Sequence, residues 1–196
     1  MVLLRHLSIS KRNCMGFHKL ETNIPDVFII KPDVFGDSRG FFMELYNRKS
    51  FEEIGLGHLN FIQDNLSSST KGTIRGLHFQ ASPYSQGKLI TTLQGAVLDV
   101  AVDIRPNSPT YGQHVAVELS AENPSMLYMP EGFAHGFQVL SENCLFYYKC
   151  TQFYHKASEG GIAWDDPALN IPWRDIPPIL SAKDLENPRL EQLQYQ

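Results

Sequence analysis

At 196 residues and 22.2 kDa the chain is long enough to bury one good core and too short for two, so one domain is expected. A formal charge of -4 and an isoelectric point near 6.0 argue against a surface built to grip nucleic acid through its phosphates, which needs concentrated basic charge. Cys14, Cys144 and Cys150 form no Cys-x-x-Cys pair, which leaves neither a disulfide framework nor a zinc knuckle and points to a reducing cytoplasm; no apolar run reaches the roughly 18 residues of a membrane span.

In chain order, residues 1–22 read as a basic leader, disordered or an extension, because Arg5, Lys11, Arg12 and Lys19 precede any acid. Patterned sequence begins near Ile24, and residues 23–196 form the expected single domain. From Val27 onward, short alternating or β-branched runs are separated by Gly, Pro, Asn and Ser clusters. That spacing predicts strands over 27–31, 41–46, 60–66, 73–80, 88–94, 96–104, 114–120, 125–129, 136–140 and 144–151, as in a sandwich or barrel. Ser50 with Glu53 three residues on has a capping-box spacing, which predicts a short helix to Ile54. Turn chemistry at Pro106-Asn107-Ser108-Pro109, Glu122-Asn123-Pro124 and Pro130-Glu131-Gly132 supports the breaks. After Trp164 the prolines up to Pro178 forbid a central strand, and 181–193 reads as a short helix in a tail docked on the barrel.

Within 97–104, alternation puts Leu98, Val100, Val102 and Ile104 on a packed face and Asp99 and Asp103 on a polar one. The same rule groups Cys144, Phe146, Tyr148 and Cys150, with the cysteines as inert packing, and turns Tyr147 away. Arg75 and His78, three apart, should face opposite ways unless Gly76 permits a bulge.

Metal-binding jelly rolls place a His-x-His pair and a Glu in one segment and a further His in another. Here Gln80 stands where the second His would be, no Glu follows, and the set is depleted to His78 and His135. Two imidazoles are a poor first shell for zinc or iron, so no metal is expected.

The segments Phe35-Gly36-Asp37-Ser38-Arg39-Gly40-Phe41-Phe42, Gln63-Asp64-Asn65, Arg75 to Gln80, Gln86-Gly87-Lys88-Leu89, Pro130 to Phe137, Tyr148-Lys149 and Leu180 to Asp184 occur in that order. Together they closely resemble the dTDP-4-dehydrorhamnose 3,5-epimerase family, from about Ile24 to Asp184. The resemblance implies an all-β, cupin-like jelly roll with a few short helices, working as a homodimer without a cofactor. Its substrate would be a dTDP-linked 4-keto-6-deoxy sugar, inverted at both carbons beside the C4 ketone on the way to dTDP-L-rhamnose. Such chemistry needs a base, an enolate stabiliser and an acid on the opposite face.

By resemblance His78 is the base, Asp184 orients its ring, Lys88 is the enolate-side cation and Tyr148 the returning acid. Arg39 and Arg75 look like clamps on pyrophosphate and sugar, to which planar guanidinium is suited. Glu44, Gln63, Asn65, His135, Glu159 and Lys183 match family substrate contacts, and Phe42 and Asp64 in the same motifs are counted with them. Phe153 stands where the family commonly has a tyrosine stacked on thymine, and Tyr154 matches the next aromatic. Other readings of the same residues are a single-position epimerase, a 3,4-ketoisomerase, a metal-dependent cupin oxygenase and a silent sugar-binding module.

Overall fold

A computed structural model describes residues 16–193. Its strands are β1 (Phe17–Glu21), β2 (Phe28–Pro32), β3 (Val34–Asp37), β4 (Gly40–Met43), β5 (Gln63–Thr70), β6 (Ile74–Gln80) and β7 (Lys88–Gln94). They continue as β8 (Ala96–Asp103), β9 (His114–Ser120), β10 (Met126–Met129), β11 (Phe133–Val139), β12 (Asn143–Cys150) and β13 (Glu159–Gly161), with short helices α1 (Arg48–Glu53) and α2 (Ala182–Leu185).

The strands form a six-stranded sheet in the order β1-β2-β10-β7-β12-β5 and a five-stranded sheet in the order β13-β6-β11-β8-β9; β3 and β4 stand apart as a hairpin. The two antiparallel sheets face one another as a jelly roll, the all-β class expected.

Between the sheets, Ile90, Val97, Ala101, Leu127, Phe137 and Phe146 are among the side chains of a closed apolar core. The far side of the five-stranded sheet is also buried, because Leu98, Val100 and Val102 meet Ile162, Leu169 and Leu190 from the tail. On the other sheet, α1 supplies Phe51 against Phe17, Ile30 and Met126. Each large buried side chain contributes about 1.5–3 kcal/mol, so the tail and α1 each cover a face that would otherwise meet water.

Several boundaries differ from expectation, each for a physical reason. β1 starts at Phe17, inside the stretch read as leader, and pairs with β2 from Phe17↔Pro32 to Glu21↔Phe28. The leader's residues 1–15 lie outside the described residues. β3 was hidden behind Pro32 and Gly36, and β11 begins at Phe133, earlier than residue 136. β5 runs on through Ser67, Ser68, Ser69 and Thr70, which read as a turn cluster but pair in register with Asn143 to Phe146. Ser50 does not cap α1: it is buried inside the helix, and Asn47 is the cap, accepting from the Lys49 and Ser50 amides. The helix expected over 181–193 is broken into α2 and a 3-10 turn at Leu190–Gln192, with Pro188 between them.

β8 is buried on both faces. Asp99 and Asp103, assigned to a polar face, are each 0% exposed and satisfied by side-chain partners. Asp103 alone accepts from Arg105, Ser108 and Thr110, stapling the loop that follows it. Burial raises its carboxyl pKa, but these hydrogen bonds outweigh burial and hold it well below the usual range.

Candidate active site

One cleft of about 540 Å³ opens between the sheets, lined from β5, β6, β7, β11, β12 and α2. Its shape depends on an irregularity in β6. Across the β6–β11 ladder His135 faces His78 and Phe137 faces Arg75, so two steps on one strand meet three on the other. This bulge brings both Arg75 and His78 to the cleft, which strict alternation forbids. Gly76, at φ +125°, makes it possible: a Cβ there would stand 2.5 Å from the Gly136 Cα, so the two backbones meet where no other residue fits.

His78 Nε2 lies 2.6 Å from Asp184 Oδ1, although 106 residues separate them in the chain. Asp184 is 4% exposed, and Ser181 caps α2 with its Oγ, accepting from the Asp184 amide while donating to Oδ2 at 2.7 Å. Burial pushes the Asp184 carboxyl pKa up, but hydrogen bonds from His78 and Ser181 overcome it and leave the pKa below the ordinary value. An ionised carboxylate is only an acceptor, so it holds the proton on Nε2 and leaves the Nδ1 lone pair as the ring's basic site.

A second imidazole–carboxylate pair lies beside the first. His135 Nε2 is 3.0 Å from Asp99 Oδ2, and both side chains are buried. Burial lowers the His135 pKa against the opposing pull of Asp99, which favours a neutral ring. Lys88, 8% exposed, has its pKa lowered chiefly by burial, with Cys150, Asp99 and Glu159 working the other way. It makes no ion pair among the described residues, so its ammonium is available to a developing negative charge. On β12, Tyr148 also lines the cleft, and burial raises its phenol pKa, keeping the proton on at neutral pH. Tyr147 faces the other way, toward Lys149. Cys144 and Cys150 are buried free thiols, with Cys144 pushed up to about 11 by burial.

Of the expected site residues, His78, Tyr148, Asp184, Lys88, Asp64, Asn65, Arg75, His135, Tyr154 and Glu159 line this one cleft. Gln63 and Lys183 sit just behind it. Gln63 donates to Asn65 Oδ1 and accepts from the Tyr154 amide, while Lys183 pairs with Glu159 at 2.6 Å. Tyr154 completes that rim by donating its hydroxyl to Glu159 at 2.9 Å. Phe153 is 61% exposed and points outside the lining.

Arg39, Phe42 and Glu44 are not brought to the cleft of their own chain. Arg39 and Phe42 line a separate shallow depression on the β3–β4 hairpin, where Arg39 pairs with Asp37, and Glu44 accepts from Asn47 beside α1. Gln80, Gln86, Ser67, Phe137, Phe146 and Ser181 line the cleft without having been assigned a role, and Asp99 supports it from below. Asp99 was read as a carboxylate on a polar face of β8 and Ser181 as the first residue of the tail helix, and neither reading pointed to the cleft; Ser67 lay beyond a strand expected to stop at residue 66.

Among the described residues no three His, Cys, Asp or Glu side chains gather into a metal-holding group.

A family model described as dTDP-4-dehydrorhamnose 3,5-epimerase matches residues 21–192. The curated dTDP-4-dehydrorhamnose 3,5-epimerase of Shigella flexneri is 53% identical over 176 residues, covering 90% of this chain and 97% of that protein. A crystal structure of dTDP-6-deoxy-D-glucose-3,5-epimerase from Legionella pneumophila, in complex with dTDP-4-keto-L-rhamnose, is 48% identical. It superposes with a TM-score of 0.88 over 91% of this chain and 95% of that one. A 3'-monoepimerase from Streptomyces bikiniensis, solved with dTDP-quinovose, is 33% identical, with a TM-score of 0.82 over 87% of each chain.

Proposed function

This chain belongs to the dTDP-4-dehydrorhamnose 3,5-epimerase family, and from that premise we propose that it is an isomerase inverting both carbons beside the ketone of dTDP-4-keto-6-deoxyglucose. The observation that carries the reading is the meeting of His78–Asp184, Lys88 and Tyr148 in one cleft. A carbon acid next to a ketone loses its proton only if the resulting enolate is stabilised. His78 takes the proton at Nδ1, and Asp184 stabilises the imidazolium that forms without being protonated itself. Lys88, itself buried at the cleft wall, meets the charge that develops on the ketone oxygen where the attraction is less screened than in water. Tyr148 returns a proton to the opposite face, which inverts the centre. Before the second carbon reacts, the imidazolium gives up its proton to solvent and the tyrosinate takes one back from it, so the same pair serves both carbons, and the reaction calls for no cofactor.

Arg75, held by its Nε to Ser69 Oγ at 3.1 Å, is the charged clamp within the chain, while Asn65, Gln63, Tyr154, Glu159 and Lys183 form the nucleotide side. Phe153 offers a ring to the base without a hydroxyl. The chain acts as a homodimer on this reading. The support is the β3–β4 hairpin, which holds Phe41 and Phe42 at 63% and 59% exposure and keeps Arg39 away from its own cleft. A cytoplasmic home fits the free thiols, and no helix among the described residues is long and apolar enough to cross a membrane.

Turnover of dTDP-4-keto-6-deoxyglucose in deuterated water tests the proposal: both carbons flanking the ketone acquire label, and His78→Ala loses it by about 10²-fold or more. Label at one carbon alone would make it a single-position epimerase, a migrated carbonyl a ketoisomerase, and no label would reject the proposal.

A further inference from the structure

We infer that Asp166 is a positioning residue for the His78–Asp184 pair, acting through the C-terminal tail; this rests on the reading of that pair as the base. Asp184 is carried on a helix of four residues, which is too short to hold its own place. It is instead suspended between two anchors. Upstream, Ile179 bridges the entry to β6, accepting from the Ile74 amide at 3.0 Å and donating to Gly72 at 2.9 Å. Downstream, the Ala163 amide donates to Pro188 at 2.8 Å, and the Leu190 amide donates to Asp166 Oδ2 at 2.7 Å.

The downstream anchor is the unusual one. Asp166 is 5% exposed and makes no ion pair among the described residues. Its other oxygen accepts from the Ala168 amide at 2.9 Å. A buried carboxylate without a cation is costly unless its oxygens are hydrogen-bonded; here Oδ1 closes a turn within the loop after β13, and Oδ2 fixes the tail against that loop. Leu190, held at its amide, inserts among Leu77, Ile162 and Leu169.

Between the anchors the tail crosses β13 at the level of the base. Gly161 is the residue paired with His78, and the Asn187 side chain occupies the space a Cβ at Gly161 would take. The tail's height above β6 therefore sets how far the Asp184 carboxylate stands from the imidazole. At 2.6 Å that hydrogen bond has little tolerance for displacement.

The test compares full-length Asp166→Asn, Asp184→Asn and the double variant, each checked for folding by circular dichroism and assayed for turnover of dTDP-4-keto-6-deoxyglucose. Asp166→Asn keeps one acceptor and loses the other. It is expected to lower kcat roughly 10- to 100-fold with KM changed by no more than about threefold. In the Asp184→Asn background the same substitution adds less than about twofold, because the partner it positions is already disabled. Full multiplication of the two losses, or an unchanged kcat in Asp166→Asn, overturns the inference. Gly161→Ala, which displaces Asn187 without touching Asp166, carries the same expectation and stands in if Asp166→Asn does not fold. Normal turnover by Asp184→Asn alone removes the base reading itself, and with it the inference, without recourse to any Asp166 variant.

Discussion

Asp184→Asn probes the proposed chemistry with the smallest change of shape. The amide fits the space of the carboxylate, and Ser181 Oγ accepts from the backbone amide of residue 184 whichever side chain is present. What disappears is the charge opposite the imidazolium across a 2.6 Å hydrogen bond. A hydrogen bond to a charged group contributes about 1.5–3 kcal/mol. If that contribution is made mainly once His78 is protonated, kcat falls by roughly 10- to 150-fold. Should the amide turn its NH2 toward Nε2, the ring adopts the wrong tautomer and the loss approaches about 10⁴-fold. The assay is deuterium incorporation beside the ketone together with steady-state turnover, with dTDP binding measured separately to show that the cleft is intact. Turnover within about threefold of the parent would refute the argument that this carboxylate supports the base.

Tyr148→Phe is expected to spare proton removal more than inversion, read as exchange into recovered substrate against formation of epimerised product; equal losses would count against the acid role. Lys88→Met removes a cation whose pKa burial lowers, so thermal stability rises at neutral pH while exchange falls by at least about 10²-fold. Asp103 has a folded-state pKa below its unfolded value of about 3.9, so the stability it contributes is complete above that value and is lost as pH falls toward the folded one. Asp103→Asn should therefore melt earlier than the parent at neutral pH, by about 3 kcal/mol or more, with the gap closing in acid. Gly76→Ala forces a Cβ against the Gly136 backbone at a positive φ, and urea unfolding should show a loss above about 2 kcal/mol.

Most of the barrel was legible because its signals are local. β7 and β9 fall on the residues that alternation marks, 88–94 and 114–120. The proposed chemical centre was legible for a different reason: His78, Lys88, Tyr148 and Asp184 lie in motifs that resemble a known family, and no spacing along the chain could have predicted a 2.6 Å contact across 106 residues. What local signals missed depends on partners distant in sequence. Ser67 to Thr70 look like a turn until β12 supplies hydrogen bonds to them, and Asp99 and Asp103 look exposed until His135 and Arg105 cover them. Ser50 resembles a cap, but Asn47 offers an acceptor earlier in the chain and takes that place. Arg39 and Phe42 carry the motif of a substrate contact yet stand on a hairpin outside their own cleft, a placement set by how β3 and β4 fold on each other.

The tail that follows β13 gives the molecule a temporal order. During synthesis, β1 to β12 emerge first, and with them the imidazole, the lysine and the phenol. The carboxylate comes later, on a segment that has to wrap back over finished strands before it reaches the ring. Tyr154, Glu159 and Lys183 belong to the same late segment, so on the proposed roles both the grip on the nucleotide and the support for the base wait for the tail to be laid over the strands.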